Sequence, residues 1–434
     1  METSDGLERA TRARYWVIVF AVTLAVIQYI DRVCISKAMP AIQRDLGFTN
    51  VQAGYVFGAF TLAYALFEIP GGWLGDKFGP RKVLMRVVAW WSFFTAATAW
   101  TASALSMMVV RFLFGAGEAG CFPNITKAFT TWLPRDERVR AQSVLWLAAR
   151  WGGAVTPLLV LAVLSVVSSW RRAFELFGLV GIVWAVLFYR WFRDNPHEHP
   201  SVNAAEKKLL TGVDNLASRH SKVPWRVFFS SPSAWLLWIQ YACMSYVWYF
   251  YVTWFPTYLD SAHGRDLGPL ALAVLAGLPL FGGGFGSLVS GFCAAALARR
   301  IGGMGRARKT LAAGGFVAAA VFFLASMHTR DPILMPLLTA LGGFSVDFVM
   351  PCAWGACMDV GGRFAGTFAG SMNMMGNLGG FVAPIATGYI LDITGRWSLV
   401  FSISAVVYLG GAVCWLLLDP VTPLDRPTER SPAP

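Results

Sequence analysis

A chain of 434 residues that is 56% hydrophobic and only 14% charged has too little polar side chain to clothe a soluble globule, whose charged share is about 25%. The net charge of +12 does not make it a nucleic-acid binder, because its Lys and Arg lie in short loops between apolar runs rather than in a patch or stripe. A soluble enzyme is excluded, and a lipid bilayer is the expected partner.

A transmembrane helix takes about 20 apolar residues, and the length accommodates twelve of them. The stretch Met1 to Arg14 is polar and mixed in charge, and the first apolar run ends at Asp31-Arg32 without a small-residue cleavage site, so no signal peptide is expected. Apolar runs bounded by charged, Gly or Pro clusters predict spans over 15–36, 51–73, 82–101, 105–128, 139–167 and 172–192. A solvated linker follows over 193–233, with ten charged side chains. Six more spans are predicted over 234–259, 268–298, 308–327, 331–358, 363–392 and 396–418, with a tail over 419–434. The fold class expected is an all-α membrane protein of two pseudo-symmetric six-helix bundles, 15–192 and 234–418, whose near-equal lengths suggest duplication.

With the N-terminus inside, the inner segments hold 24 Lys and Arg against 7 in the outer loops, so both termini are expected to be cytoplasmic, in the plasma (inner) membrane. The seven cysteines, Cys34, Cys121, Cys243, Cys293, Cys352, Cys357 and Cys414, sit in apolar stretches at spacings that match no zinc site. They read as buried thiols; no metal and no cofactor are expected.

A charge at mid-membrane costs about 2.5 to 3.5 kcal/mol on insertion scales, so Asp31, Arg32, Arg111, Glu118, Arg150 and Glu68 must be paired, hydrated or functional. At 1.5 Å per residue, Asp31 and Arg111 come to a shared depth, and Glu118 lies about 10 Å deeper on nearly the same face of its helix as Arg111. Arg150, about eleven residues into span five, reaches a similar level to Glu118. Two clusters are expected, Asp31 with Arg111 and Glu118 with Arg150, in which a substrate anion diverts a guanidinium and leaves a carboxyl free to load or release a proton. Asp31 and Glu118 are the expected proton-coupling residues. Arg32, Arg111 and Arg150, with Tyr29 and Tyr64, are the expected substrate ligands; the structural alternative is a set of ion pairs that hold helices together. Glu68, before Ile69-Pro70-Gly71-Gly72, is read as pairing across helices near a gate. The second half has no deeply embedded base but offers Gln240, Tyr246, Tyr249, Trp354, Ser371, Asn373 and Asn377, of which Trp354 and Asn373 are the expected ligands.

The turn after span two, Gly72-Trp73-Leu74-Gly75-Asp76-Lys77-Phe78-Gly79-Pro80-Arg81-Lys82, resembles the signature loop of the major facilitator superfamily. That resemblance implies a gating role for Gly72, Asp76, Lys77, Gly79, Arg81 and Lys82. The matching stretch of the second half, Gly291 to Lys309, keeps the bases but has no Asp, so such gating would be asymmetric. Tyr29-Ile30-Asp31-Arg32, the run Arg111 to Ala119 and the run Gly370 to Leu378 are similar to the anion:cation symporter family, which includes sugar-acid and aromatic-acid permeases and the vesicular and phosphate carriers of animals. This likeness covers about residues 15–418. It implies proton-coupled uptake of a small-molecule organic anion, with a sugar acid or related carboxylate expected, by alternating access with the substrate held at the midplane between the halves, in a functional monomer. Where the family's sugar-acid members often have Gln in span five, this chain places Arg150. Efflux antiporters and aromatic-acid permeases are the alternatives within the superfamily, and a non-transporting solute sensor is the alternative of another class.

Overall fold

The computed structural model describes residues 9–210, 225–264, 267–329, 331–361 and 365–424. The inner part of the expected linker, 211–224, and most of the tail, 425–434, lie outside them. All regular structure among the described residues is helical. The first half contributes α1 (Ala13–Leu46), α2 (Asn50–Phe78), α3 (Pro80–Ala97), α4 (Ala104–Glu118), α5 (Cys121–Trp132), α6 (Arg135–Val167) and α7 (Trp170–Trp191). Short helices α8 (Ala204–Leu210) and α9 (Trp225–Ser230) lie in the linker. The second half contributes α10 (Pro232–Thr253), α11 (Phe255–His263), α12 (Pro269–Ile301), α13 (Met304–His328), α14 (Leu334–Gly361), α15 (Ala365–Thr394) and α16 (Trp397–Leu417).

Among the described residues, eleven spans, counting α4 with α5 as one, are long and apolar enough to cross a membrane. With α10 they make twelve. Over its 22 residues α10 carries three Trp and four Tyr, amphipathic rings that favour the membrane interface and lower its mean hydropathy.

Two spans expected as continuous are broken. The fourth divides at Ala119-Gly120, because Pro123 has no N–H to donate back to Ala119 and the Asn124 amide instead donates to the Gly120 carbonyl at 2.6 Å and the Gly71 carbonyl at 3.0 Å. Gly71 and Gly120 meet backbone to backbone there; a Cβ on Gly71 would stand 2.5 Å from the Gly120 Cα. The seventh span divides at Trp254, where Pro256 opens α11.

The chain forms two compact units. Unit 1 comprises 1–219, 252–277 and 384–392. In it α1 packs on α6, α2 on α4 and α3 on α7. Unit 2 comprises 220–251, 278–383 and 393–434, with α13 packed between α14 and α16.

Two helix starts in unit 1 are capped by carboxylates distant in sequence. At α1 the N-cap, Arg12, supplies no side-chain bond. Glu206 of α8 accepts instead from the N–H groups of Ala13 and Arg14, each at 3.2 Å, from the Arg14 guanidinium at 3.0 Å and from the Thr11 hydroxyl. At α2, Thr49 closes a capping box with Gln52, and Asp392 accepts from the N–H groups of Asn50 and Val51 at 3.1 and 2.9 Å. Orphan first-turn donors are thereby satisfied, and the negative charge meets the positive end of the helix dipole.

Candidate anion site

Gln28, Asp31 and Arg32 stand at i, i+3 and i+4 on α1 and share a face. All are buried, as are Tyr29 beside them, Tyr64 on α2, Arg111 and Glu118 on α4 and Arg150 on α6. Unit 1 therefore brings together seven of the nine residues expected to bind substrate or protons. Their pairing differs from the expected one.

Glu118 pairs with Arg32, not with Arg150. Its Oε1 accepts from Arg32 Nε at 3.0 Å, from Arg32 Nη2 more closely still, and from Gln28 Nε2 at 2.9 Å. Its Oε2 is buried with no hydrogen-bond partner among the described residues. The reason is register: α1 and α4 present Arg32 and Glu118 to each other, whereas Arg150 reaches Tyr29, donating from Nη1 to the phenol oxygen at 3.5 Å. Three rings surround the Arg32 guanidinium, with centroids at 5.2 Å for Tyr29, 5.0 Å for Phe60 and 5.0 Å for Tyr64. These are distances at which a ring face attracts a cation.

The expected cluster of Asp31 with Arg111 is not an ion pair among the described residues. Asp31 Oδ2 accepts from Trp91 Nε1 at 3.2 Å, and Oδ1 has no hydrogen-bond partner among the described residues. Arg111 lies over the Phe114 ring at 4.0 Å and the Phe60 ring at 5.5 Å, with its Nε and Nη1 unbonded among the described residues. Phe60 thus lies near both guanidinium groups.

In unit 2, Trp354 packs edge-on against Tyr241, with centroids 6.2 Å apart, and its buried Nε1 has no hydrogen-bond partner among the described residues. Asn373 is half-buried, and its carbonyl accepts from Asn377 Nδ2 at 3.1 Å. Several of the other expected polar groups are engaged between or within helices: Tyr249 donates to Asn377 at 3.0 Å, Trp238 to Ser371 at 3.0 Å and Trp415 to Gln240 at 3.0 Å.

The loop between α2 and α3 is ordered by its glycines. Gly79 has φ +80, and a β-carbon on it would stand 2.6 Å from Asp194 Oδ2. Asp194 accepts from the Arg81 N–H at 2.8 Å, while the Arg81 side chain donates to the Tyr189 carbonyl and lies 4.4 Å over the Tyr189 ring. Lys77 lies 4.9 Å over Trp73. Gly72 has ordinary room, Lys82 is exposed, and the Asp76 side chain lies outside the described residues.

Sequence reasoning missed Gln28, Trp91 and Asn124. The signal for Gln28 was its place one turn before Asp31-Arg32 on the same face; nothing local marks Trp91 or Asn124.

Fold and site together define a membrane carrier. The family model for the Major Facilitator Superfamily matches residues 21–384, and the chain belongs to that family, as a transporter rather than an enzyme. The probable sulfoacetate transporter SauU of Cupriavidus necator is 34% identical over 98% of each chain. The D-galactonate transporter of Escherichia coli is 30% identical over 96% of this chain and 98% of that one. The probable galactarate/D-glucarate transporter GudP of Escherichia coli is 29% identical over 88% of each. These names accord with the narrower likeness to anion:cation symporters. A bacterial homologue of the human lysosomal transporter Spinster, solved in an inward-facing and occupied conformation, shares the fold, with a TM-score of 0.74 and 18% identity over 93% of this chain and 96% of that one.

Proposed function

We propose that the chain imports a small organic anion together with protons by alternating access, as a monomer in the inner membrane with both termini cytoplasmic. The observation that carries this reading is the buried Arg32–Glu118 pair with one carboxylate oxygen saturated and the other bare. An incoming carboxylate competes for the Arg32 fork. Glu118 then loses its counter-charge inside an apolar site and takes a proton on Oε2, whose protonation breaks no existing hydrogen bond. Tyr29, Tyr64 and Arg150 complete the grip in unit 1; within unit 2, Trp354 and Asn373 are the proposed ligands. Asp31 is the second proton carrier, and the Gly72 to Lys82 loop acts as a gate.

A sugar acid fits the polar groups, and the named sugar-acid relatives support it. A second reading rests on Arg150. A guanidinium where sugar-acid members often carry an amide suits a second anionic group in place of a hydroxyl, so a small carboxylate that also bears a sulfonate is the competing substrate class. Uptake into proteoliposomes under an imposed pH gradient, across sugar acids, aromatic acids and sulfoacetate, tests both. Uptake of none of them, with binding retained, would favour a sensor. In Arg150→Gln, a substrate with two anionic groups should lose affinity far more than one with a single carboxylate; equal losses would remove the second reading.

A further inference from the structure

Unit 2 contains an acid to which no role has been assigned. Asp347 sits at the middle of α14 and is 2% exposed. An intramembrane carboxyl is costly to keep charged and is by default a functional candidate. The surrounding packing makes room for it. On α12, Gly283 faces it, and a β-carbon there would stand 3.0 Å from the Asp347 Cγ and closer still to Oδ2. One turn along α12, Ser287 donates to the Asp347 carbonyl at 3.1 Å. Tyr251 of α10 and Tyr408 of α16, both buried, pack edge-on against Phe323 of α13 at 5.8 and 6.2 Å. Their phenols lie within electrostatic reach of the Asp347 carboxyl. Among the described residues, Gly283 of α12 packs against the Asp347 carboxyl, Ser287 binds its backbone carbonyl, and the Tyr251 and Tyr408 phenols are the titratable groups that act on it electrostatically.

We propose that Asp347, buried at the middle of α14 against Gly283, is a proton-binding site in the second half of the carrier, separate from Asp31 and Glu118. One proton adds to a carboxylate oxygen and leaves from it; no other bond changes. The proposal rests on the proton-symport reading and adds one proton to each transport cycle.

Steady accumulation at zero membrane potential measures that number, since each coupled proton multiplies the attainable ratio about tenfold per imposed pH unit. In proteoliposomes, Asp347→Asn should keep counterflow exchange at equal pH and show about a tenfold lower accumulation ratio per pH unit than wild type. An unchanged ratio overturns the proposal. Should Asp347→Asn not insert, dicyclohexylcarbodiimide labelling of the wild-type chain decides the matter, because that reagent attacks protonated carboxyls in apolar sites. An adduct at Asp347 that fades as pH rises supports the site, and no adduct at any pH overturns it. Absence of gradient-driven uptake by wild type would sink the symport reading instead, while the labelling still reports on Asp347.

Discussion

Glu118 accepts from two side chains at a single oxygen, and this asymmetry sets what its substitution does. Glu118→Gln keeps an acceptor for Arg32 and Gln28 but has no exchangeable charge. We expect Glu118→Gln and Asp31→Asn to abolish uphill, gradient-driven accumulation while at least one retains counterflow exchange; normal pH-driven concentration by both would remove their coupling role. Arg111 behaves differently, because its guanidinium rests on Phe114. A cation over a ring in a dry site is worth about 2 kcal/mol. As a proposed carboxylate ligand, Arg111 also offers a planar fork that Lys lacks, so Arg111→Lys should lower uptake at limiting substrate; near-native uptake would leave Arg111 a packing residue. The presence of Asp31, Arg32, Arg111, Glu118 and Arg150 as buried charges was legible because each interrupts an apolar run. Who pairs with whom was not, since depth along a helix is readable from spacing while the rotation of α1 against α4 and α6 is a property of their packing. Asp347 escaped notice because it stands in a long apolar run with no second charge near it in sequence.

At the scale of helices, most boundaries follow from composition, and the exceptions have local causes: Pro123 with Asn124 in the fourth span and Pro256 in the seventh. The two distant caps were not legible, since nothing local ties Glu206 to α1 or Asp392 to α2. A lost cap costs about 1 kcal/mol, or about fivefold in a local opening equilibrium. Asp392→Ala should accordingly quicken hydrogen exchange in the first turn of α2 about fivefold, with exchange in α7 unchanged; unaltered exchange at Asn50 and Val51 would show that Thr49 and Gln52 suffice. The linker offers a pH-dependent counterpart. His199 packs against Trp191 and Trp132, with centroids at 4.7 and 5.4 Å. Its neutral ring donates from Nε2 to the Trp191 carbonyl at 3.0 Å and accepts at Nδ1 from the Ser201 N–H at 3.2 Å. Burial holds this imidazole below its ordinary value. The folded state thus favours the neutral ring: its contribution is complete above the unfolded value of about 6.5 and is lost as pH falls through the lowered folded value. Hydrogen exchange over 196–210, corrected for intrinsic rates, should rise on acidification in wild type and become insensitive to pH in His199→Phe. Equal pH dependence in both would assign the effect to another group.

Over the whole molecule, the low charge content and twelve apolar runs made the fold class readable before any coordinates, while α10 shows where a hydropathy scale misjudges an aromatic span. The division into units was less readable, because 252–277 and 384–392 pack with unit 1 although they follow the linker in sequence. All seven cysteines are free thiols, and two of them lie beside the charges of unit 1: Cys34 donates to the Asp31 carbonyl at 3.4 Å, and Cys121 lies three residues beyond Glu118, fully buried. The unmodified chain therefore carries its own chemical reporter for the anion site. Under the proposed function, a transported anion should slow alkylation of Cys121 in proportion to its occupancy, while Cys414 in unit 2 reacts at the same rate with or without it. Mass spectrometry of the two peptides would then rank candidate substrates by protection alone, without reconstitution, and equal labelling of Cys121 at every anion concentration would move the binding site away from α4.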